Sequence, residues 1–233
     1  MTTGVSWPQV LAWRLRRQFV EPPAGSGVVP VVRRLCGVQA QVASSAELAV
    51  AVHRHAPRAG EVDQALWHER SLVKTWLMRG TLHLVPSDEL PVYSAVMGSL
   101  RYWEKGSWHR GHGVTAAELE AIIDSVPKAL AEGRALTREE LVEAVLDVTG
   151  DAHLREALTS GWGALLKPLS YLGELCYGPP RDRKVTFVAP ATWLPNRPGA
   201  SPAPTPGPPP PGRDASSPGH LDAEVTRVRA LLR

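Results

Sequence analysis

The stretch Leu72-Val-Lys-Thr-Trp-Leu-Met78, Arg79-Gly80, Thr81-Leu-His-Leu-Val85 decides how the chain is read. Two runs rich in β-branched and large apolar residues flank a glycine, which predicts a β-hairpin turning at Arg79-Gly80. Pro86 ends the second run, and Ser87 can cap a following helix. Upstream the signals are helical. A short helix is expected over about residues 62–69. Ser44 and Glu47 have the spacing of a capping box for a helix continuing through Leu48 and Val52. Val31 to Leu35 form an apolar run closed by Gly37, and Gln39-Ala40-Gln41 falls between helices as a connector. Ser6 and Pro8 open a first helix whose Trp7, Leu11, Leu15 and Phe19 recur at one spacing and predict a buried stripe. Helices followed by a hairpin describe a winged helix.

The same order returns downstream without visible residue identity. Thr115 with Glu118 and Thr137 with Glu140 are two further capping boxes, each opening a helix rich in Leu, Ile and Val. A longer helical run over about residues 154–172 is expected to break near Pro168. Leu175-Cys-Tyr177, a Gly-Pro-Pro turn and Lys184-Val-Thr-Phe-Val188 make a second hairpin. The fold class is therefore mainly α with small β-hairpins (α+β), organised as tandem winged helices. The first spans 1–104 and the second 105–194. Residues 195–219 read as a Pro/Gly-rich disordered linker, and 220–233 as the start of an incomplete third domain with Leu221, Val225, Val228 and Leu232 at helical spacing.

Composition narrows the classes of partner. The 233 residues are 43% hydrophobic and carry a formal charge of +3. Within residues 1–60, seven arginines (14, 16, 17, 33, 34, 54, 58) face only Glu21 and Glu47, so the basic surplus is concentrated at the front. Arginine suits bidentate phosphate contact, although a GC-rich genome gives the same bias. Two distant cysteines, Cys36 and Cys176, are too few for a disulfide framework or a zinc site, and no metal is expected. With no signal-peptide pattern and no apolar run of membrane-spanning length, the chain reads as soluble and cytoplasmic.

Three segments carry a family resemblance: Leu35-Cys-Gly-Val-Gln39-Ala-Gln41, Thr75-Trp76-Leu-Met-Arg79-Gly-Thr81-Leu-His83-Leu, and Ser160-Gly-Trp162-Gly-Ala-Leu-Leu-Lys167-Pro. Together they resemble successive landmarks of the AlkZ/YcaQ family of winged-helix DNA glycosylases. The resemblance implies excision of purines alkylated at N7, including bulky adducts and crosslinks, from double-stranded DNA. It implies no cofactor, no membrane and no obligate protein partner. The family signature is a Gln, an apolar residue, then Gln or Asp, so Gln39 and Gln41 are the implied catalytic pair in its Gln/Gln form. By itself a Gln-x-Gln tripeptide equally describes a polar connector bonded to backbone.

An amide is not a base at neutral pH, yet the proposed chemistry does not require one. An N7-alkylated purine is already a cation and departs as a neutral base, so the site needs to place water and tolerate charge on the sugar. Without a recognised lysine nucleophile, the product is an abasic site and the strand is not cut. Lys74, Arg79, Thr81 and His83, on or beside the first hairpin, are candidate DNA contacts, with Arg101 and Lys167 of the same kind. Ordinary solvated charge on an edge hairpin is the competing account, and His83 also fits a hydrogen-bonded core residue. Trp76, Trp162 and Trp193 are expected in the core. Trp103, Trp108, His109 and His112 surround a glycine-rich stretch that suits a DNA-facing loop. The resemblance also implies a third winged helix and a C-terminal β-barrel, neither of which is present in complete form. A DNA-binding module without chemistry and an inactive truncated family member are therefore the alternatives.

Overall fold

The computed structural model describes residues 4–20, 27–159 and 161–194. The expected linker at 195–219, the residues at 220–233 and the side chain of Trp162 lie outside the described residues. The first helix, α1 (Trp7–Arg17), starts at Ser6 as expected, but its apolar stripe is not buried. Trp7, Leu11 and Leu15 are exposed, and only Phe19, beyond the helix end, packs against the core, with the Arg34 guanidinium over its ring. Periodicity shows that an apolar face exists; it does not say what covers it.

The first sheet gathers α2 (Val28–Arg34), β1 (Val38–Gln39), α3 (Ala43–Ala51), α4 (Glu61–Asp63, continued by a π-turn over Gln64–His68), β2 (Leu72–Leu77) and β3 (Thr81–Pro86). The hairpin forms where expected, turning through Met78–Gly80. The expected connector at Gln39 is instead a strand: β1 pairs antiparallel with β3 and gives the order β1-β3-β2. It reads as a loop in sequence because a two-residue strand is too short to show alternation.

Two expected caps are also replaced. Helix α3 begins at Ala43 after Val42, with no side-chain cap, and Glu47 accepts the Gly60 N–H at 2.5 Å. Chain pairing holds the backbone extended through Val42, so Ser44 is already helical and cannot cap. After β3, Glu89 rather than Ser87 precedes α5 (Leu90–Ser99).

The glycine-rich stretch after α5 is ordered as a 3-10 turn over Tyr102–Glu104 and helix α6 (Gly106–His112). Trp103, expected in a DNA-facing loop, is buried and stacks on Tyr171 at 5.9 Å. Trp108 and His112, four residues apart on α6, stack at 4.1 Å.

The second sheet repeats the order with α7 (Ala116–Ala129), β4 (Leu136–Thr137), α8 (Arg138–Thr149), α9 (His153–Thr159), a 3-10 segment over Gly161–Leu166, α10 (Lys167–Tyr171), β5 (Cys176–Arg181), β6 (Lys184–Val188) and α11 (Pro190–Trp193). Its strand order is β4-β6-β5, the same topology as the first sheet. Both downstream capping boxes form. The long helix breaks after Thr159, ahead of Pro168, which sits in the first turn of α10 where its missing N–H is harmless.

The second hairpin turns at Asp182-Arg183, both at positive φ, instead of at Gly-Pro-Pro. Gly178 to Arg181 lie in edge strand β5 across a register irregularity, which accommodates two residues that cannot donate to a ladder. The sheets meet through Trp76, whose ring stacks on Phe187 at 6.0 Å and meets the edge of Tyr177 at 5.1 Å. Thr75 reinforces this junction by donating its hydroxyl to the Leu175 carbonyl at 3.3 Å.

Candidate nucleic-acid interface

The register sorts the first sheet into two faces. Val38, Leu84 and Lys74 lie across one another, as do Gln39, His83 and Thr75, and directly opposed residues project to the same side. Ala40 continues the pairing, its N–H donating to the Leu82 carbonyl at 2.8 Å. Alternation then buries Val38 and Ala40 and exposes Gln39 and Gln41. The Gln41 side-chain oxygen accepts the Leu82 N–H at 3.4 Å, a long bond that leaves most of the amide's capacity open. Neither glutamine is packed among aliphatic neighbours.

His83 sets the electrostatics of this face. Its Nδ1 lies 2.9 Å from the Thr81 carbonyl, which can only accept, so Nδ1 carries the proton and the neutral ring keeps a bare Nε2. Burial pushes its pKa below the ordinary histidine value, and the Arg79 charge adds to that, against the Thr81 carbonyl. The exposed end of the sheet thus carries two neutral amides beside a neutral imidazole.

The remaining candidate residues separate into distinct settings. Arg79 is exposed on the hairpin turn with φ 49° and ψ 18°, and Thr81 follows Gly80 at the start of β3. Lys167, distant in sequence, reaches the same turn: a β-carbon at Gly80 would lie 3.4 Å from its Nζ and 3.3 Å from the Tyr171 hydroxyl. Arg101 pairs with Glu104. Lys74 sits on the opposite face from the glutamines, with its ammonium 5.5 Å from the Tyr177 ring centroid and burial lowering its pKa.

The basic front is partly neutralised. Arg33 is held by Asp88 at 2.8 Å and by Glu89, and Arg54 by Glu61 at 2.5 Å. Among the described residues no three His, Cys, Asp or Glu side chains converge as a metal site, and no described helix is long and apolar enough to cross a membrane.

The turn also borders a cleft of about 440 Å³ between α5, α6 and α10. Sequence reading singled out Arg79, Lys167, Trp108 and His112 separately, but missed Tyr102, Ala164 and Tyr171 of the same wall. The available signal was Gly80, because a glycine at a hairpin turn marks close approach by another element.

The chain is thus a helix-and-sheet protein with exposed amides beside one sheet edge and Arg79 and Lys167 at the adjacent turn. The profile of the family described as "DNA glycosylase AlkZ-like" matches residues 32–233. An "Interstrand DNA cross-link repair glycosylase" of Streptomyces sahachiroi is 46% identical over 187 residues, which is 80% of this chain and 50% of the relative. The solved "Streptomyces sahachiroi DNA glycosylase AlkZ" superposes with a TM-score of 0.76 at 43% identity, covering 84% of this chain and 53% of that one. This chain belongs to the AlkZ-like DNA glycosylase family. It spans about half the length of these relatives.

Proposed function

We propose that the chain carries the amide site of a DNA glycosylase that hydrolyses the N-glycosidic bond of N7-alkylated purines, with bulky adducts and interstrand crosslinks among its substrates. The observation that carries this reading is the joint exposure, in a member of this family, of Gln39 on β1 and of Gln41 two residues on, whose side chain meets the Leu82 N–H of β3. Their dipoles hold one water against C1′. As the bond from C1′ to the purine breaks, its electron pair neutralises the purinium, water oxygen bonds to C1′, and the water proton goes to solvent. The product is a free alkylpurine and an abasic site. The neutral His83, opposite Gln39, keeps a positive charge away from the developing oxocarbenium.

The two three-stranded units of identical topology support a tandem winged-helix reading, divided near residue 104, with Arg79, Thr81 and Lys167 as the leading phosphate contacts. Lys74, half-buried on the opposite face, and Arg101, paired with Glu104, are secondary in this reading. The test is base release from N7-methylguanine duplex under single-turnover conditions. Gln39→Ala with Gln41→Ala is expected to abolish release while duplex affinity stays nearly unchanged. Release by the double variant at the wild-type rate, or none by the wild type, overturns the proposal; in the second case tandem winged helices that bind DNA without chemistry remain.

A further inference from the structure

We propose that the cleft beside the β2–β3 turn seats one unstacked nucleotide of the DNA strand, its phosphate between Arg79 and Lys167 and its base against Tyr102 and Trp108. The inference rests on the glycosylase reading for its substrate, but on separate residues for its geometry. At about 440 Å³ the cleft falls in the ordinary range of small-ligand sites. Its two ends differ chemically. The turn end holds Arg79 and Lys167, neither of which has a carboxylate within ion-pair distance among the described residues, whereas Arg33, Arg101, Arg155 and Arg181 are all paired. The other end is aromatic: Tyr102 and Trp108 are only half-buried, and stacking on His112 fixes the plane of the Trp108 ring.

A third feature steadies that wall: Tyr102 packs edge-on against Tyr171 at 5.7 Å, and burial together with the neighbouring Tyr102 hydroxyl raises the Tyr171 pKa. Arg79 adds a backbone argument. It keeps a left-handed conformation that a glycine would adopt without strain, which holds its Cα at the cleft mouth.

Occupants of other chemistry fit less well. A neutral aromatic group from a bulky adduct leaves two cations unanswered, and a bare phosphate leaves the aromatic wall unused. A nucleotide answers both, since bases stack on aromatic rings irrespective of sequence while phosphates take the cations. The cleft is also near the amides: Gly80 lies two residues before Leu82, whose N–H meets Gln41, roughly 7 Å of strand. A nucleotide held here flanks the position where the amide pair works.

The test is the affinity of the full chain for a short oligothymidylate, followed by fluorescence anisotropy across a salt series. Ala164→Leu, which fills the cleft without removing a contact, and Trp108→Ala are each expected to weaken binding about tenfold. Arg79→Gln and Lys167→Gln should each lower the slope of log affinity against log salt by about 0.7. A base-free deoxyribose-phosphate strand should bind the wild type about as weakly as oligothymidylate binds Trp108→Ala. Thermal melting checks folding, and should Trp108→Ala fail to fold, Ala164→Leu decides. Unchanged affinity in a folded Ala164→Leu overturns the cleft whatever the base-release result. Loss of base release from the Gln39/Gln41 double variant has no bearing on it, so the two proposals fail separately.

Discussion

The two sheets share a strand order but use their short edge strands differently. In the second unit, β4 runs directly into α8, and Thr137 is both the last strand residue and the helix cap. Its hydroxyl accepts the Glu140 N–H at 3.3 Å, and its own N–H donates to the Glu140 carboxylate at 2.8 Å. In the first unit, three residues separate β1 from α3, and the helix starts after Val42, which has no side chain able to cap. The polar residues there, Gln39 and Gln41, therefore remain exposed. One topology thus yields a capped joint in one copy and an exposed polar segment in the other. That uncapped joint has a stability cost, because the helix leaves backbone donors without side-chain partners.

The largest test of this contrast asks whether the units are independent at all. Trp76→Ala removes the ring that packs β2 against Phe187 and Tyr177, and it should destabilise the protein by about 3–5 kcal/mol. Urea unfolding followed by far-ultraviolet circular dichroism should still show one transition; two separated transitions would mean that the sheets fold alone. Thr137→Ala comes next, with an expected loss of about 1–2 kcal/mol, while Ser44→Ala, exposed and not a cap, should stay within about 0.5 kcal/mol. Equal losses would erase the distinction between the two joints. Conversely, Val42→Thr introduces the missing cap at an exposed position with extended backbone. It should raise stability by up to about 1 kcal/mol in the same unfolding measurement.

These joints also explain which features the sequence disclosed. Thr115 and Thr137 were legible as caps because their partners sit three residues on and nothing distant competes for them. Ser44 and Glu47 have the same spacing and fail, because pairing of β1 with β3 sets the helix start and Gly60 takes the Glu47 carboxylate. The β2–β3 hairpin was legible from its two β-rich runs about Gly80; the second turn was not, since Gly-Pro-Pro carries the stronger local turn signal than Asp182-Arg183. The amide pair was singled out by resemblance alone, and its exposure emerged only with the pairing of β1 and β3. The cleft was not legible, because Arg79, Tyr102, Trp108, Lys167 and Tyr171 come together only through packing of separate elements.

The smallest expected effect sets the two units against each other by pH. His83, in the first sheet, has its pKa lowered mainly by burial, so the folded chain takes up its proton at lower pH than the unfolded chain. Between the folded value and the usual value near 6.5 the unfolded state binds more protons, and stability rises with pH across that window. His153, which opens α9 in the second unit, has its pKa raised chiefly by the Gly113 carbonyl, 2.9 Å from its Nε2, with Glu118 assisting. Its contribution is complete below about pH 6.5 and fades as pH rises through the folded value. The two slopes have opposite sign, so the wild-type profile is flatter than either contribution alone. Melting temperatures from pH 5 to 8 separate them. Relative to the wild type, His83→Gln should gain stability as pH falls below about 6.5, and His153→Gln should lose it there. A His83→Gln profile parallel to the wild type would mean that folding leaves the His83 pKa unshifted, and the argument that burial holds this imidazole neutral opposite Gln39 would be lost.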